Sequence, residues 1–459
     1  MQNLNSIFLQ QFAERGFLAQ ATDVEQIDKL ENITAYIGFD CTAKSLHIGN
    51  LMQIMILRRL LKQGHNAIIL LGGGTTKIGD PSGKDDARQI LTESQIADNL
   101  AGIKKTLEKF IKINDKAEFT NLELTSSQRI IKGDGGQAII VNNDEWLSGL
   151  KYIDFLRDVG RHFSVNRMLS FDSVKLRLDR DQPLSFIEFN YMILQAYDFY
   201  HLNKKYGCNL QIGGSDQWGN IINGVELIRK INVDKVKNAN ESNNVFGLTS
   251  PLLTNSEGKK MGKTANGAVW LDADMFGVFD YFQYFRNVND ADVIKFIKLF
   301  TNCDYEIDVK LHKITGYSLL NRDNSNPNDA QIINKLDAQI INQLKELLAF
   351  EVTKICHNEE VANNCLATAR EIFVNKNSQA FIEKEIIFEQ DAKKLFEIIK
   401  EIGASESNSE AKKLILNNAV KINSQLIADI NYHFDKNTYQ NQKIDLSIGK
   451  KKFYQILFK

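Results

Sequence analysis

Residues 33–73 read ITAYIGFDCTAKSLHIGNLMQIMILRRLLKQGHNAIILLGG, and the apolar residues of this stretch indicate the fold class. Two short apolar runs, at 33–40 and 66–73, flank a segment whose apolar residues recur near the helical period. Gly64 follows that segment as a helix stop. Strand, helix and strand with short connections predict a right-handed parallel βαβ unit. Because LQIGGSDQWGN (210–220) repeats the strand and glycine turn, we expect an open parallel sheet over residues 1 to about 240.

The second half of the chain has a different composition. Of the 28 glycines, 24 lie at or before Gly267, and all four prolines lie at or before Pro327. Periodic stretches such as ADVIKFIKLF (291–300) and AQIINQLKELLAFEVTKIC (338–356) predict helices. We therefore expect a helical domain over about 270–345, followed near 372–390 by an aperiodic stretch that we interpret as a linker.

Charge separates the end of the chain from the rest. The formal net charge of the 459 residues is −1, which excludes a basic field over the whole chain. From residue 391 onward, however, 12 lysines stand against 8 acidic residues, so this tail carries +4 and the preceding residues carry −5. A basic terminal module on an acidic body indicates a local nucleic-acid contact. Lysines on a solvated face are the alternative that charge alone leaves open.

The five cysteines form no CxxC pair, so the sequence predicts no zinc site. Their odd number and scattered spacing suit a reducing compartment. The first residues, MQNLNSIFLQQFAERG, lack the charged and apolar regions of a secretory signal. No apolar run approaches the roughly 18 residues of a membrane span. The expectation is a soluble cytoplasmic protein with no membrane partner.

The turn LHIGN (46–50) carries the first candidate site. His47 and Asn50 are three residues apart, so we expect both side chains on one face of a helical turn. Gly49 between them leaves room for a ligand to approach the backbone. Free N–H groups and the helix dipole attract anions at such a turn, which predicts a nucleotide site. A surface histidine near a helix start is the simpler alternative.

Two further stretches carry polar groups in unusual places. SEGKKMGKTANG (256–267) contains three lysines among glycines. Such a loop could bind a polyanion whose charge grows during a reaction, and a solvated charged loop is the alternative. In YMILQAYDF (191–199), Tyr191, Gln195 and Asp198 share one helix face, where a small polar ligand or an internal hydrogen-bonded network could pair with them. IGDPSGKD (78–85) lacks the P-loop spacing, although it follows a buried strand.

Taken together, these motifs resemble those of the class I aminoacyl-tRNA synthetases, and closely those of the bacterial tyrosyl-tRNA synthetases. HIGN resembles the HIGH motif, KMGKT (260–264) resembles KMSKS, and YIGFD, GDPSGK, YMILQAYDF and LQIGGSDQWGN resemble motifs of the tyrosine enzymes. SNSEAKKLILNNAVKIN (407–423) is similar to a small RNA-binding domain. The resemblance implies an α/β fold: a Rossmann-like parallel-sheet catalytic domain (1–240), the KMSKS loop with an α-helical anticodon-side domain (241–350), a linker (351–390) and a ribosomal-protein-S-four-like α+β RNA-binding domain (391–459).

The resemblance also implies an activity and its residues. The chain is expected to be a tyrosine–tRNA ligase that uses L-tyrosine, ATP with Mg²⁺, and tRNA(Tyr), and to be a homodimer. Tyrosine would be bound by Tyr36, Asp80, Tyr191, Gln195, Asp198, Gln211 and Gln217. The phosphates and the departing pyrophosphate would be contacted by Thr42, His47, Lys84, Arg88, Lys260, Lys263 and Thr264. The rest of ATP would lie against Gly38, Asp40, Gly49, Asn50 and Asp216. No metal ligand set is implied.

Three departures from the family pattern bear on these expectations. Asn50 replaces the last histidine of HIGH, and we expect a weaker ribose contact. Cys41 stands where proline is usual, which should loosen the turn before Thr42. Gly262 and Thr264 vary the KMSKS pattern, and Gly262 should make that loop more mobile. Two other classes are alternatives. A non-catalytic RNA-binding protein on this scaffold would be expected to lose the loop lysines or Asp198, which are present here. The pair Tyr36 and Asp198, together with the basic tail module, argues against a tryptophanyl enzyme or a related nucleotidyltransferase.

Overall fold

The computed structural model describes residues 4–80, 91–111, 135–235, 244–256, 258, 261–264, 267–302, 305–316, 336–377, 382–388, 391–423, 425–449 and 452–459. These residues fold into two compact units, Met1–Cys365 and Leu366–Lys459. Among the described residues, no helix is both long enough and apolar enough to cross a membrane. The four described cysteines are buried and free.

A six-stranded sheet forms the centre of the first unit. Its strands are β1 (Gln20–Ala21), β2 (Thr34–Asp40), β3 (Asn66–Gly72), β4 (Ala138–Asn142), β5 (Leu210–Gly214) and β6 (Phe246–Ser250). Their order is β1-β6-β5-β2-β3-β4, and every neighbouring pair is parallel except β1 with β6. The predicted parallel sheet is confirmed. The strand order reverses between β2 and β5: β3 and β4 lie on one side of β2, and β5 and β6 lie on the other. Open α/β sheets bind ligands at such a switch point.

Helices cover the sheet and fill the connections. They are α1 (Ile7–Glu14), α2 (Val24–Asp28), α3 (Ile48–Lys62), α4 (Gly73–Thr76), α5 (Glu93–Phe110), α6 (Asp144–Leu147), α7 (Tyr152–Asp158), α8 (Val165–Leu169), α9 (Asp172–Asp179), α10 (Phe186–Tyr206) and α11 (Trp218–Lys235). Local sequence sets the ends of α10, the longest of these. Ser185 and Glu188 form a capping box at its start, and Gly207, at φ +64°, ends it in the left-handed region.

Beyond the sheet, a short hairpin leads into helices, as the periodic stretches predict. The hairpin pairs β7 (Lys263–Thr264) with β8 (Gly267–Ala268). The helices are α12 (Val278–Arg286), α13 (Val293–Phe300), α14 (Tyr305–Thr315), α15 (Ala338–His357) and α16 (Glu359–Asn377). Fully buried aromatic rings hold α12 and α13 together, with Phe285 and Phe300 in an edge contact at 5.8 Å.

The second unit contains β9 (Ile382–Ile386), β10 (Ala392–Lys394), α17 (Leu395–Glu401), α18 (Asn408–Leu416), β11 (Val420–Ile422), β12 (Gln425–Leu426), β13 (His433–Asp435), α19 (Lys436–Tyr439), β14 (Lys443–Ile448) and β15 (Lys452–Phe458). Five strands form a sheet in the order β12-β11-β14-β15-β9, around an apolar core. Residues 351–390, predicted as a linker, contain α16 and β9. Strand β9 has no clean period, but parallel pairing with β15 supplies its hydrogen bonds.

Candidate active site

A cavity of about 350 Å³ opens at the carboxyl ends of the central strands. Fourteen residues that the sequence predicts for the site line it, namely Tyr36, Gly38, Asp40, Thr42, His47, Gly49, Asn50, Asp80, Tyr191, Gln195, Asp198, Gln211, Asp216 and Gln217. The predicted positions Lys84, Arg88 and Lys260 lie outside the described residues, as do the side chains of Lys263 and Thr264. The described part of the candidate site therefore lines a single cavity.

The most buried part of the cavity is polar. The Asp198 carboxylate, 1% exposed, accepts hydrogen bonds from Asn143 Nδ2 at 2.9 Å and from Trp146 Nε1 at 2.7 Å. Burial raises the pKa of Asp198 to about 7 despite these two donors. Tyr36 is equally buried, and its hydroxyl has no hydrogen-bond partner among the described residues. An unpaired buried hydroxyl is costly, so a ligand with a polar group fits here.

Sequence reasoning missed the residues that hold Asp198. Asn143 and Trp146 follow the carboxyl end of β4, and Asn143 Nδ2 also donates to Thr75 Oγ1 at 3.1 Å. The Trp146 ring stacks on His201, with ring centres 4.3 Å apart. The polar run NNDEW directly after a buried strand was the available signal, because side chains at strand ends in such sheets face the ligand.

A second polar network lies around two carboxylates. Tyr191 donates its hydroxyl to Asp40, with both carboxylate oxygens at 3.2 Å, and Gln217 Nε2 donates to Asp80 at 2.8 Å. Asn220, also missed, donates from Nδ2 to both Gln195 and Gln217, each at 3.1 Å. Tyr191 and Gln195, for which the sequence predicted either a small polar ligand or an internal hydrogen-bonded network, thus belong to such a network, and both line the cavity. Carboxylates and amide oxygens held in this way suit a ligand ammonium group.

His47 does not lie within the helix, as the sequence analysis assumed, but caps it. Its backbone is extended, its Nδ1 accepts from Gly49 N–H at 3.0 Å, and its own N–H donates to Asn50 Oδ1 at 3.2 Å. These two bonds form a capping box at the start of α3. Since capping requires the oxygen of Asn50, its Nδ2 is the group left to donate to a ligand. Asparagine here therefore has a structural role in addition to any ribose contact.

The absence of a side chain at Gly49 accommodates the His47 ring, which the sequence did not suggest. A Cβ built at Gly49 would lie 2.6 Å from His47 Cε1 and 2.9 Å from Nδ1. Gly49→Ala is expected to displace the ring and lower the rate of ATP–pyrophosphate exchange on the order of tenfold. Gly149→Ala is the matched control, because a Cβ there meets nothing within 4 Å. Unchanged exchange in Gly49→Ala would show that the ring position is unimportant.

The turn that carries His47 is joined by backbone bonds to the segment after the KMGKT sequence. His47 pairs antiparallel with Trp270, Ile48 N–H donates to Val269 O at 2.9 Å, and Leu271 N–H donates to Leu46 O at 2.9 Å. Val269 N–H in turn donates to Gly262 O at 3.1 Å. Two motifs more than 200 residues apart in the sequence are therefore neighbours at one end of the cavity.

Cys41 does not loosen its turn as expected. Its N–H, which proline would lack, donates to Thr76 Oγ1 at 2.7 Å, and its carbonyl accepts from Asn99 Nδ2 at 2.8 Å. Burial raises the pKa of its thiol to about 12. Cysteine at this position therefore gains a backbone hydrogen bond that fastens the turn.

Comparison with known proteins gives consistent results over nearly the whole chain. A family model described as "tRNA synthetases class I (W and Y)" matches residues 28–374, and one described as "Tyrosine--tRNA ligase SYY-like C-terminal domain" matches residues 380–456. The tyrosine–tRNA ligase of Wolbachia sp. subsp. Brugia malayi is 48% identical, with 98% of this chain and 99% of that protein covered.

Further comparisons agree. The tyrosine–tRNA ligase of Rickettsia bellii is also 48% identical, with 97% of this chain and 98% of that protein covered. Among solved structures, a C-terminally truncated mitochondrial tyrosyl-tRNA synthetase from Aspergillus nidulans is similar. It matches with a TM-score of 0.62 and 27% identity, covering 81% of this chain and 96% of that one.

Within the described residues, no group of three or more His, Cys, Asp or Glu side chains is arranged to hold a metal ion.

Proposed function

The chain belongs to the tyrosine–tRNA ligases of the class I tRNA synthetase family, and from that membership we propose that it attaches L-tyrosine to tRNA(Tyr) at the expense of ATP. The observation that carries the proposal is the floor of the cavity. There the buried carboxylate of Asp198 can accept a hydrogen bond from a phenolic hydroxyl, and the unpaired hydroxyl of Tyr36 can donate one to it. A phenolic hydroxyl is both a donor and an acceptor. Tryptophan, the other substrate in the description of the family, has no such group.

The rest of the amino acid is bound by the second polar network. Asp80, Tyr191 and Gln195 contact the ammonium group, and Gln211 and Gln217 lie near the carboxylate. Support for this comes from Gln211, which is 2% exposed and whose Oε1 has no hydrogen-bond partner among the described residues. Asp40 bonds to Tyr191, so we assign it to the boundary between the amino acid and the nucleotide.

ATP occupies the remaining part of the cavity, towards His47 and the glycine turns. Gly38 and Asp216 contact the ribose, and Asn50 donates a hydrogen bond to it from Nδ2. Thr42 and His47 contact the γ-phosphate, and Lys84, Arg88, Lys260, Lys263 and Thr264 stabilise the departing pyrophosphate. Mg²⁺ enters with ATP as part of the substrate and neutralises phosphate charge.

The first chemical step needs no protein nucleophile or base. The carboxylate of tyrosine attacks the α-phosphate, the bond to the bridging oxygen breaks, and tyrosyl-adenylate and pyrophosphate form. The protein contributes orientation and stabilisation of the charge that develops on pyrophosphate. In the second step a hydroxyl of the terminal ribose of the tRNA attacks the activated carbonyl and releases AMP.

The second unit is proposed to contact the tRNA. It contributes the tail with net charge +4, and exposed Lys412 and Lys413 lie on α18. The experiment that tests the whole function is aminoacylation of bacterial tRNA with labelled tyrosine. We expect label that precipitates with the tRNA and is released by mild alkali, as an ester must be. Tyrosine activation without tRNA charging would contradict the proposed second step.

A homodimer is also proposed, through an exposed apolar surface on α7, α8 and the start of α10. These helices share one buried core, yet they expose apolar side chains, namely Tyr152, Ile153, Leu156, Val165, Leu169, Phe186 and Ile187. Ile153 and Phe186 are each 71% exposed. Several exposed apolar side chains on helices that share one core are typical of protein–protein contacts, and a second copy of the chain would present the same side chains.

Charge introduced into this surface should separate the subunits. Ile153→Asp is expected to convert the dimer to a monomer at micromolar concentration in sedimentation experiments, because a carboxylate would be buried unpaired. Val233→Asp, at a similarly exposed apolar residue on α11, is the control and should remain dimeric. A wild-type chain that sediments as a monomer would refute the dimer itself.

A further inference from the structure

The backbone carbonyl of Leu271, next to cavity-lining Trp270, accepts hydrogen bonds from two side chains. Cys356 Sγ, on the last turn of α15, donates to Leu271 O at 3.4 Å, and Lys109 Nζ, at the end of α5, donates at 3.3 Å. Leu271 is completely buried and Cys356 is 2% exposed. Two helices from different parts of the first unit therefore meet at a single carbonyl group.

That carbonyl belongs to a segment that joins the two phosphate-binding motifs. Leu271 N–H donates to Leu46 O immediately before the HIGN turn, and Val269 accepts from Ile48 N–H. Val269 also donates to Gly262 O and so closes the base of the β7–β8 hairpin, which includes Lys263. A shift of Leu271 would consequently change the separation of the HIGN turn and the KMGKT segment.

The thiol of Cys356 is suited to act as a fixed donor. Burial raises its pKa to about 12, so it stays protonated near neutral pH. Tyr281 on α12 is fully buried and lies beside this thiol. Lys109 is an exposed residue, and its ammonium group makes the hydrogen bond to the Leu271 carbonyl, so this contact is polar.

We propose that Cys356 and Lys109 are positioning residues for tyrosine activation, which hold the HIGN turn and the KMGKT segment at their working separation through the Leu271 carbonyl. This inference rests on the proposed function. It differs from a packing role because it predicts loss of rate in the chemical step with no loss of tyrosine binding. It also predicts that any small donor at residue 356 will serve.

The experiment compares Cys356→Ala with Cys356→Ser and with Cys365→Ala, a change at another buried cysteine. Tyrosine-dependent ATP–pyrophosphate exchange, tyrosine affinity and melting temperature are measured for each. In Cys356→Ala we expect kcat to fall about fivefold while tyrosine affinity stays within about twofold of wild type. Cys356→Ser should restore kcat because its hydroxyl donates to the same carbonyl, and Cys365→Ala should match wild type.

Lys109 provides a second test that does not depend on the core. Lys109→Met should lower kcat about threefold without lowering the melting temperature, and Lys109→Arg should retain it. Wild-type kcat in both Cys356→Ala and Lys109→Met would overturn the inference, and so would equal losses in Cys356→Ala and Cys356→Ser. Failure of the proposed function would appear differently, as absence of tyrosine-dependent exchange in the wild-type chain itself.

Discussion

Asp198→Asn is expected to lower kcat/KM for tyrosine in ATP–pyrophosphate exchange on the order of 100-fold, the size of a lost hydrogen bond to a charged group. The wild-type carboxylate accepts from Asn143 and Trp146 and can still accept from the phenol. An asparagine side chain has only one oxygen, so in either orientation its NH₂ faces one of these donors. The control is Asp98→Asn, which removes the same charge from an exposed position on α5.

The pH dependence of the stability of Asp198→Asn tests whether burial raises the pKa of Asp198. Because burial raises the pKa of folded Asp198 to about 7, the wild-type protein loses stability as pH rises from the unfolded pKa, near 4, to about 7. Asparagine does not titrate and avoids this loss. We therefore expect the free energy of unfolding of the variant, relative to that of the wild type, to increase by roughly 3 kcal/mol between pH 5 and pH 8. Thermal unfolding without tyrosine at the two pH values measures this difference.

Two outcomes would contradict this part of the account. If tyrosine affinity in Asp198→Asn equals that of Asp98→Asn, the carboxylate does not contact the substrate. If the stability difference between variant and wild type is the same at pH 5 and pH 8, Asp198 does not carry the raised pKa. The proposed contact also predicts selectivity, since phenylalanine would leave the buried Tyr36 hydroxyl without a hydrogen-bond partner and would donate nothing to Asp198.

His47→Ala is expected to reduce kcat of exchange about 100-fold while tyrosine binding in the absence of ATP is unchanged. The imidazole lies beside Gly262 of the KMGKT segment, at the end of the cavity assigned to the phosphates. Stopped-flow measurement of adenylate formation, with equilibrium dialysis for tyrosine, separates the two effects.

His47 also caps α3, so a control must preserve the cap. Asparagine is among the best N-cap residues and can accept from Gly49 N–H as the imidazole does. His47→Asn should therefore recover the roughly 1 kcal/mol of stability that alanine loses, yet remain at least tenfold slower than wild type. Full activity in His47→Asn would mean that residue 47 serves the helix and not the nucleotide.

Much of the catalytic fold was predictable because its signals are local. The apolar runs of β2 and β3 lie on either side of a periodic helix, and the motifs fall at the ends of these strands, so the sheet and the described lining of the cavity follow. Partners supplied by distant residues were not predictable. The polar run NNDEW marks Asn143 and Trp146 as candidates, but the run does not show that they bond to Asp198, and no local pattern shows that β9 pairs with β15.

Where the sequence analysis was wrong, a residue had a structural role that its motif does not reveal. His47 was placed within the helix, but it caps it, and Gly49 makes room for its ring. Cys41 was expected to loosen a turn that it fastens through an N–H group that proline lacks. Such roles depend on which backbone groups face each other in three dimensions, and spacing along the chain does not contain that information.

We propose that this cavity activates tyrosine, and ATP–pyrophosphate exchange measured with each of the twenty amino acids distinguishes this substrate from every other. We expect exchange with L-tyrosine alone, and exchange with phenylalanine at background because phenylalanine has no hydroxyl group to bond to Tyr36 and Asp198. Exchange that depends on tryptophan, or no exchange with any amino acid, would contradict it.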